Sequence, residues 1–281
     1  MKTTLIKYFV LAVLLWFFAV PCYPGAGEKE PQSILYFYNS ETNINNFVSL
    51  KITFDTYLSQ FGDYYFQPFS DQSNFESFVA ENDKGVMLLS SWHYSMLKDQ
   101  ASLVPALIGV SNNKTTQRKI LSTQHDIESI NDLKGKKIAT ASNISYSENL
   151  LREMVGSANE DVVSSVKFVL VPKDIDALMA VGFGIASAAL TSEKSLENFK
   201  DINEKQYSQL RQLGISKEIL LTLAVVHQKA DAGAAKLLAT LMKMSTNPDG
   251  KLKLRMLGLD DWRPLTPSEL ATLNVTEVKG K

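Results

Sequence analysis

From Ser33 onward the chain alternates short apolar runs with longer stretches of helical spacing. Residues 34–38, Ile-Leu-Tyr-Phe-Tyr, form a compact β-type run that ends at Asn39-Ser40. Phe47, Leu50, Phe54, Tyr57, Leu58 and Phe61 then recur at intervals that place them on one helical face. Gly62-Asp63 stops that helix and Tyr64-Tyr65-Phe66 begins a second strand. Phe75, Phe78 and Val79 mark a short helix. Gly85 precedes an unbroken apolar strand, Val86-Met87-Leu88-Leu89, which opens into a loop of Ser90, Ser91, Trp92, His93 and Tyr94. Residues 103–110 are extended again.

The pattern then repeats. A polar stretch at 111–117 leads to strand-like Lys119-Ile120-Leu121. Residues 126–140 predict a short helical turn, a glycine turn at Gly135 and a strand from Lys137. Ser145 with Glu148 has the spacing of a capping box before an amphipathic run of Leu150, Leu151, Met154 and Val155. Residues 166–171 predict a strand, 174–181 a helix, 185–190 a buried strand and 220–226 one more strand. Residues 232–244 predict an amphipathic helix. Strands separated by helices of this length imply βαβ units and mainly parallel sheets, hence an α/β fold of two lobes. Ligands in such sheets sit beyond the carboxyl ends of strands.

Composition narrows the class. The 281 residues are 45% hydrophobic and 21% charged, a globular balance. The net charge of −1 excludes the electrostatic footprint of a nucleic-acid binder. Lys2 and Lys7 precede an apolar stretch at 8–20, too short for a standard spanning helix, with small residues at Gly25, Ala26 and Gly27. Residues 1–26 are therefore expected to be a cleaved Sec-type export signal, with membrane anchoring as the alternative. Cys22 is the only cysteine, so the mature chain has no disulfide and rests on its core. His93, His125 and His227 are isolated, with no metal-ligand spacing, and no nucleophile motif or phosphate loop is present. No cofactor and no catalytic set are expected.

Three segments together resemble a known family. Residues 132–139, Asp-Leu-Lys-Gly-Lys-Lys-Ile-Ala, resemble the segment that opens the second lobe of type II periplasmic binding proteins. Residues 176–189 resemble those proteins' "DALxAVxxGxxDAA" segment, with Ser187 in place of the aspartate. Residues 257–265, Leu-Gly-Leu-Asp-Asp-Trp-Arg-Pro-Leu, are similar to a C-terminal segment of the phosphate/phosphonate-type ABC transporter binding proteins. The resemblance implies two hinged lobes that close on a ligand, the first built from both ends of the chain: 30–112 with 222–275, and 113–221 for the second. It implies a small-molecule ligand, delivery to an ABC permease, and a monomer in the periplasm or at the cell exterior. A periplasmic sensory protein that signals to a membrane receptor is the alternative. Phosphonate binders carry a Ser-Thr-Ser-Gly loop at a helix start, where this chain has Ala141-Ser142-Asn143-Ile144-Ser145.

The loops after the strands supply the candidate ligand-binding residues. Ser142, Asn143 and Ser145 precede a helix, whose free N–H groups favour an anion, a small phosphate- or phosphonate-like one by the resemblance; Ser145 as a plain cap is the alternative. Ser90, Ser91, Trp92 and Tyr94 offer hydroxyls and aromatic walls, or core and rim packing instead. Asn39 and Ser40 follow the first strand, with a simple turn as the alternative. Thr191 and Ser192 follow the strand at 185–190, with helix capping as theirs.

Overall fold

A computed structural model describes residues 33–42 and 46–274. The proposed export signal, with Lys2, Lys7 and Cys22, lies outside the described residues. In chain order the first part comprises β1 (Ser33–Phe37), α1 (Phe47–Leu58), β2 (Tyr64–Pro68), α2 (Gln72–Glu81), β3 (Val86–Leu89), α3 (Ser91–Leu97) and β4 (Leu103–Val110). Then come β5 (Thr116–Gln117), β6 (Lys119–Gln124), β7 (Lys137–Thr140), α4 (Ile144–Val155), α5 (Glu160–Ser165), β8 (Lys167–Leu170), α6 (Asp174–Gly182), β9 (Ala188–Ser192), α7 (Glu193–Ile202), α8 (Glu204–Tyr207) and β10 (Leu210–Ile215). The chain returns through β11 (Ile219–Leu220), β12 (Leu223–His227), α9 (Ala232–Met242), α10 (Pro248–Met256), β13 (Asp261–Pro264) and α11 (Pro267–Asn274).

Two main sheets result. One runs β13-β4-β12-β3-β1-β2, the other β10-β6-β9-β7-β8. Each is parallel where its βαβ units run, as in β2-β1-β3 and β8-β7-β9, and antiparallel at the strands that join it around the crossings, such as β12 on β3 and β6 on β9. The sheets are thus mixed, because a strand entering from the other lobe is free of the crossover constraint that makes βαβ pairs parallel.

Alternation along the central strands sends side chains to both faces, and helices cover both. In the first sheet Leu35, Phe37 and Leu88 pack with Phe54, Tyr57, Leu237 and Leu254 from α1, α9 and α10. Tyr36, Met87 and Leu89 pack on the other face with Phe75, Val79 and Leu97 from α2 and α3. The second sheet repeats this, with Leu121, Ile138 and Leu190 against α4 and α5, and Ile120, Ala139 and Ala189 against α6 and α7. Gly85, at φ +83°, starts β3 where a Cβ would stand 2.5 Å from the Ile34 carbonyl oxygen, so only glycine fits.

The sheets are joined by two crossings at 111–118 and 216–222, where β5 and β11 pair antiparallel into a small ribbon. The single strand expected at 220–226 is therefore two. It breaks at Leu221-Thr222, where the chain leaves the ribbon: Leu221 N donates to Thr115 O, and Thr222 O accepts from Gly109 N. Residues 90–94 are not a loop. Ser90 caps α3 by accepting from His93 N at 3.2 Å, while Tyr94 and Leu97 face the core. Helix α4 begins before the expected capping box: Asn143 is the cap, accepting from Tyr146 N at 2.8 Å, and Ser145 lies inside the helix. The strand expected at 185–190 starts later and includes Thr191 and Ser192. Residues 183–186 are still bonded to the end of α6, and the ladder to β6 runs from Ala188 to Ser192.

Candidate ligand-binding cleft

The carboxyl ends of β1, β3, β7 and β9 converge between the two sheets. Residues 38–42, just beyond β1, reach the start of α4 in the other lobe. Asn143 N donates to Ser40 O at 2.8 Å. Ser142 Oγ donates to Glu41 O at 3.0 Å. The Asn143 carboxamide donates to Tyr38 Oη at 2.9 Å and to Gln72 Oε1 at 2.6 Å, while its oxygen caps α4. Asn143 thus satisfies its own helix and holds the first lobe at once. Trp92 of α3 meets Tyr146 of α4 edge to face, with ring centroids 5.3 Å apart.

This contact places an acid in the second lobe. Glu41 is 5% exposed. Its Oε2 accepts from Gln117 Nε2 and stands 3.5 Å from Lys119 Nζ, itself buried at the start of β6. Its Oε1 is buried without a hydrogen-bond partner, as is the hydroxyl of Tyr146. Burial raises the Glu41 carboxyl above the usual range, and the Lys119 ammonium offsets part of that rise. Burial, then the nearby Glu41 charge, pushes the Tyr146 phenol well above 10.

Two cavities adjoin this contact. A small one of about 170 Å³ is lined by Tyr38, Asn39, Ser142 and Asn143 among others. A larger one, about 850 Å³, opens between the lobes. The first lobe and the crossings bring Asn39, Lys114, Arg118 and Arg255 to it, and the second lobe brings Lys173, Asp174, Ser192 and Lys194. Six basic side chains line it against four acidic ones: Lys114, Arg118, Lys119, Lys173, Lys194 and Arg255 against Glu41, Asp174, Glu193 and Glu197. Among the described residues no ion pair engages Lys114, Lys173 or Arg255.

The candidate residues fall into distinct places. Asn39, Ser142, Asn143 and Ser192 line one or both cavities, and Ser192 also caps α7 and is held by Asp174 through its N–H at 2.7 Å and its hydroxyl at 2.8 Å. The others line neither. Ser40 and Ser90 bond to each other at 2.7 Å. Ser91 donates to Leu220 O, which anchors a crossing. Tyr94 sits in the first core, Thr191 is buried with an unpartnered hydroxyl, and Ser145 is exposed on α4. His93 is buried against Glu76 at 2.9 Å, and burial lowers its pKa despite that partner. Glu41, Gln117, Lys119 and Tyr146 were not among the candidates. Lys119, a lone charge abutting an apolar strand, was the signal available for them.

The comparisons fit this geometry. The family of phosphonate periplasmic substrate-binding proteins of ABC transporters matches residues 57–270. The chain belongs to that family. It is a family of transporter binding proteins, not an enzyme class. No curated protein matches the chain in sequence. Among solved structures, the binding-protein component of an ABC phosphonate transporter from Pseudomonas aeruginosa superposes with a TM-score of 0.64 at 15% identity, over 86% of this chain and 84% of that one. A Xanthomonas citri protein bound to chloride gives 0.63 at 14% identity, over 86% and 94%. A Prochlorococcus marinus protein in complex with methylphosphonate gives 0.58 at 11% identity, over 86% and 97%. Identities this low establish the shared two-lobed fold alone. No helix among the described residues is long and apolar enough to cross a membrane.

Proposed function

We propose that this member of the family is an exported monomer that captures a small polar anion between its lobes and passes it, chemically unchanged, to an ABC permease. The lobes are inferred to comprise 30–112 with 222–275 and 113–221, so that both ends of the chain build the first. The observation that carries the reading is the interlobe cavity, whose lining has a basic excess and includes exposed cations from both lobes. Arg255 enters from the first lobe and Lys173 from the second, both exposed and neither in an ion pair among the described residues. An anion bridging them contacts both lobes and so stabilises the closed arrangement over an open one, because a ligand shifts that balance only by its better contacts in the closed state. A volume of about 850 Å³ lies within the range of about 300–1,000 Å³ usual for organic ligands, and exceeds what one inorganic oxyanion fills. The ligand is therefore proposed to be an organic anion, a phosphonate or phosphate ester.

A thermal-shift screen tests this, with inorganic oxyanions, phosphonates, phosphate monoesters, amino acids and polyamines as the panel. A ligand of the folded state raises the melting temperature by mass action. The expected result is a rise with at least one phosphonate or phosphate ester and none with polyamines. A response confined to neutral or cationic compounds, or no response at all, contradicts the anionic reading.

A further inference from the structure

The second lobe has a buried polar pocket that already holds a carboxyl group, and that group is the chain's own. Around Glu41 stand the Lys119 ammonium, the Gln117 amide and the Tyr146 hydroxyl, all on the second lobe or the crossing that leads into it. Ammonium, amide N–H and phenol O–H beside a helix start are the donors that hold a free oxyanion. The start of α4 is engaged in the same way. Its Asn143 N–H and Ser142 hydroxyl are spent on the carbonyls of Ser40 and Glu41 rather than left for a ligand.

We propose that Glu41 is a specificity-determining residue, which takes inside the second lobe the place of a small external oxyanion. The cleft then closes on its own carboxyl, single oxyanions are rejected beside Lys119, and the external ligand is confined to the adjoining cavity near Lys173 and Arg255. This rests on the reading of the cleft as a ligand site. It deepens that reading by excluding inorganic phosphate, sulfate and methylphosphonate from the pocket the chain fills itself. Glu41 Oε1 and the Tyr146 hydroxyl interact without a well-formed hydrogen bond, which fits this role, since a carboxyl delivered on a tethered loop cannot orient as freely as a diffusing anion.

The test is chemical rescue. Glu41→Ala removes a CH₂–COO⁻ group, and acetate restores the same atoms untethered. With acetate titrated against chloride at constant ionic strength, the melting temperature of Glu41→Ala is expected to rise saturably while that of the wild type does not move. Methylphosphonate is expected to bind Glu41→Ala about tenfold or more tighter than the wild type, the weight of one charge-assisted hydrogen bond. Glu41→Gln fills the pocket and is expected to show no rescue. Small-angle scattering supplies an arm that needs no variant: the ligand-free wild type is expected to match the arrangement described above, with residues 38–42 docked on the start of α4. An open ligand-free wild type, or a folded Glu41→Ala that acetate leaves unchanged, overturns the proposal. Failure of the cleft reading looks different, with the organic anions leaving the wild-type melting temperature unmoved while acetate still rescues Glu41→Ala.

Discussion

Ser142, Asn143 and Ser145 stand within four positions of one another and do three different things. Ser142 is buried and donates across the cleft, Asn143 caps α4 and bonds to the first lobe, and Ser145 faces solvent. Asn143→Ala is expected to cost about 0.5–2 kcal/mol for the cap alone, and Ser145→Ala to stay within about 0.5 kcal/mol of zero. Urea midpoints at unchanged slope measure both. A larger loss at Ser145 than at Asn143 contradicts the capping seen here. Lys119 makes a sharper case. Removing one partner of a buried ion pair costs about 3–5 kcal/mol when the other stays charged. Burial raises the folded pKa of Glu41, so folding disfavours its carboxylate relative to the unfolded chain, and stability is lost as pH rises through the folded value. Gln117, Tyr146 and the more distant Asp174 also face it, and Asp174 adds to the rise. Lys119→Met removes the main opposing charge. Its cost is therefore expected to grow as pH rises from the ordinary glutamate range toward neutrality. A cost independent of pH in urea titrations shows that Glu41 does not need Lys119.

The C-terminal segment at 257–265 owes its role to the elements it ties together. Asp260 N donates to Val110 O and its carboxylate accepts from Asn112 N, both at 2.7 Å, at the point where the chain leaves β4 for the first crossing. Arg263 on β13 holds Glu269 of α11 at 2.6 Å, and Glu269 accepts from Thr115 Oγ1 at 2.6 Å, further along the same crossing. The segment thus fixes where the hinge begins. The Arg263 guanidinium, with Thr115 and Thr266, lowers the Glu269 carboxyl from 4.5 to about 2. A depressed folded pKa gives stability that is present above the unfolded value and is lost as pH falls. The stability difference between wild type and Glu269→Gln is expected to hold above about pH 5 and to shrink as pH falls from about 4.5 toward 2. A difference that stays constant across that window removes Glu269 as a hinge anchor. The elements legible beforehand share one property: their signals are local. β3 is an apolar run behind Gly85, and α1 spaces Leu50, Phe54, Tyr57 and Leu58 on one face. The two-residue strands β5 and β11 have no periodicity, and exist because the two crossings lie side by side. β10 carries a bulge at Leu213, between Gln212 and Gly214, that breaks its alternation.

At the scale of the whole molecule, the order of strands and the three family-like segments were enough to expect two lobes and a cleft. Which loops touch across that cleft was not legible, because it depends on how the lobes dock. Trp92 follows β3 as a cleft residue should, yet docking sets it against Tyr146 as packing. Glu41 follows β1 beside Asn39 and Ser40 and carries no motif, yet the same docking buries it beside Lys119. The cavity that remains open is bordered by Arg255 and Lys173, more than eighty residues apart in sequence and from opposite lobes. That pair carries the proposed ligand, so calorimetric titration of the Lys173→Ala/Arg255→Ala variant decides the matter. The titrant is the phosphonate or phosphate ester that most stabilises the wild type. Loss of two charged hydrogen bonds, at about 1.5–3 kcal/mol each, is expected to weaken binding by about a hundredfold or more, with the melting temperature of the free protein unchanged. Undiminished affinity in a folded double variant would place the anion elsewhere and contradict the cleft as its site.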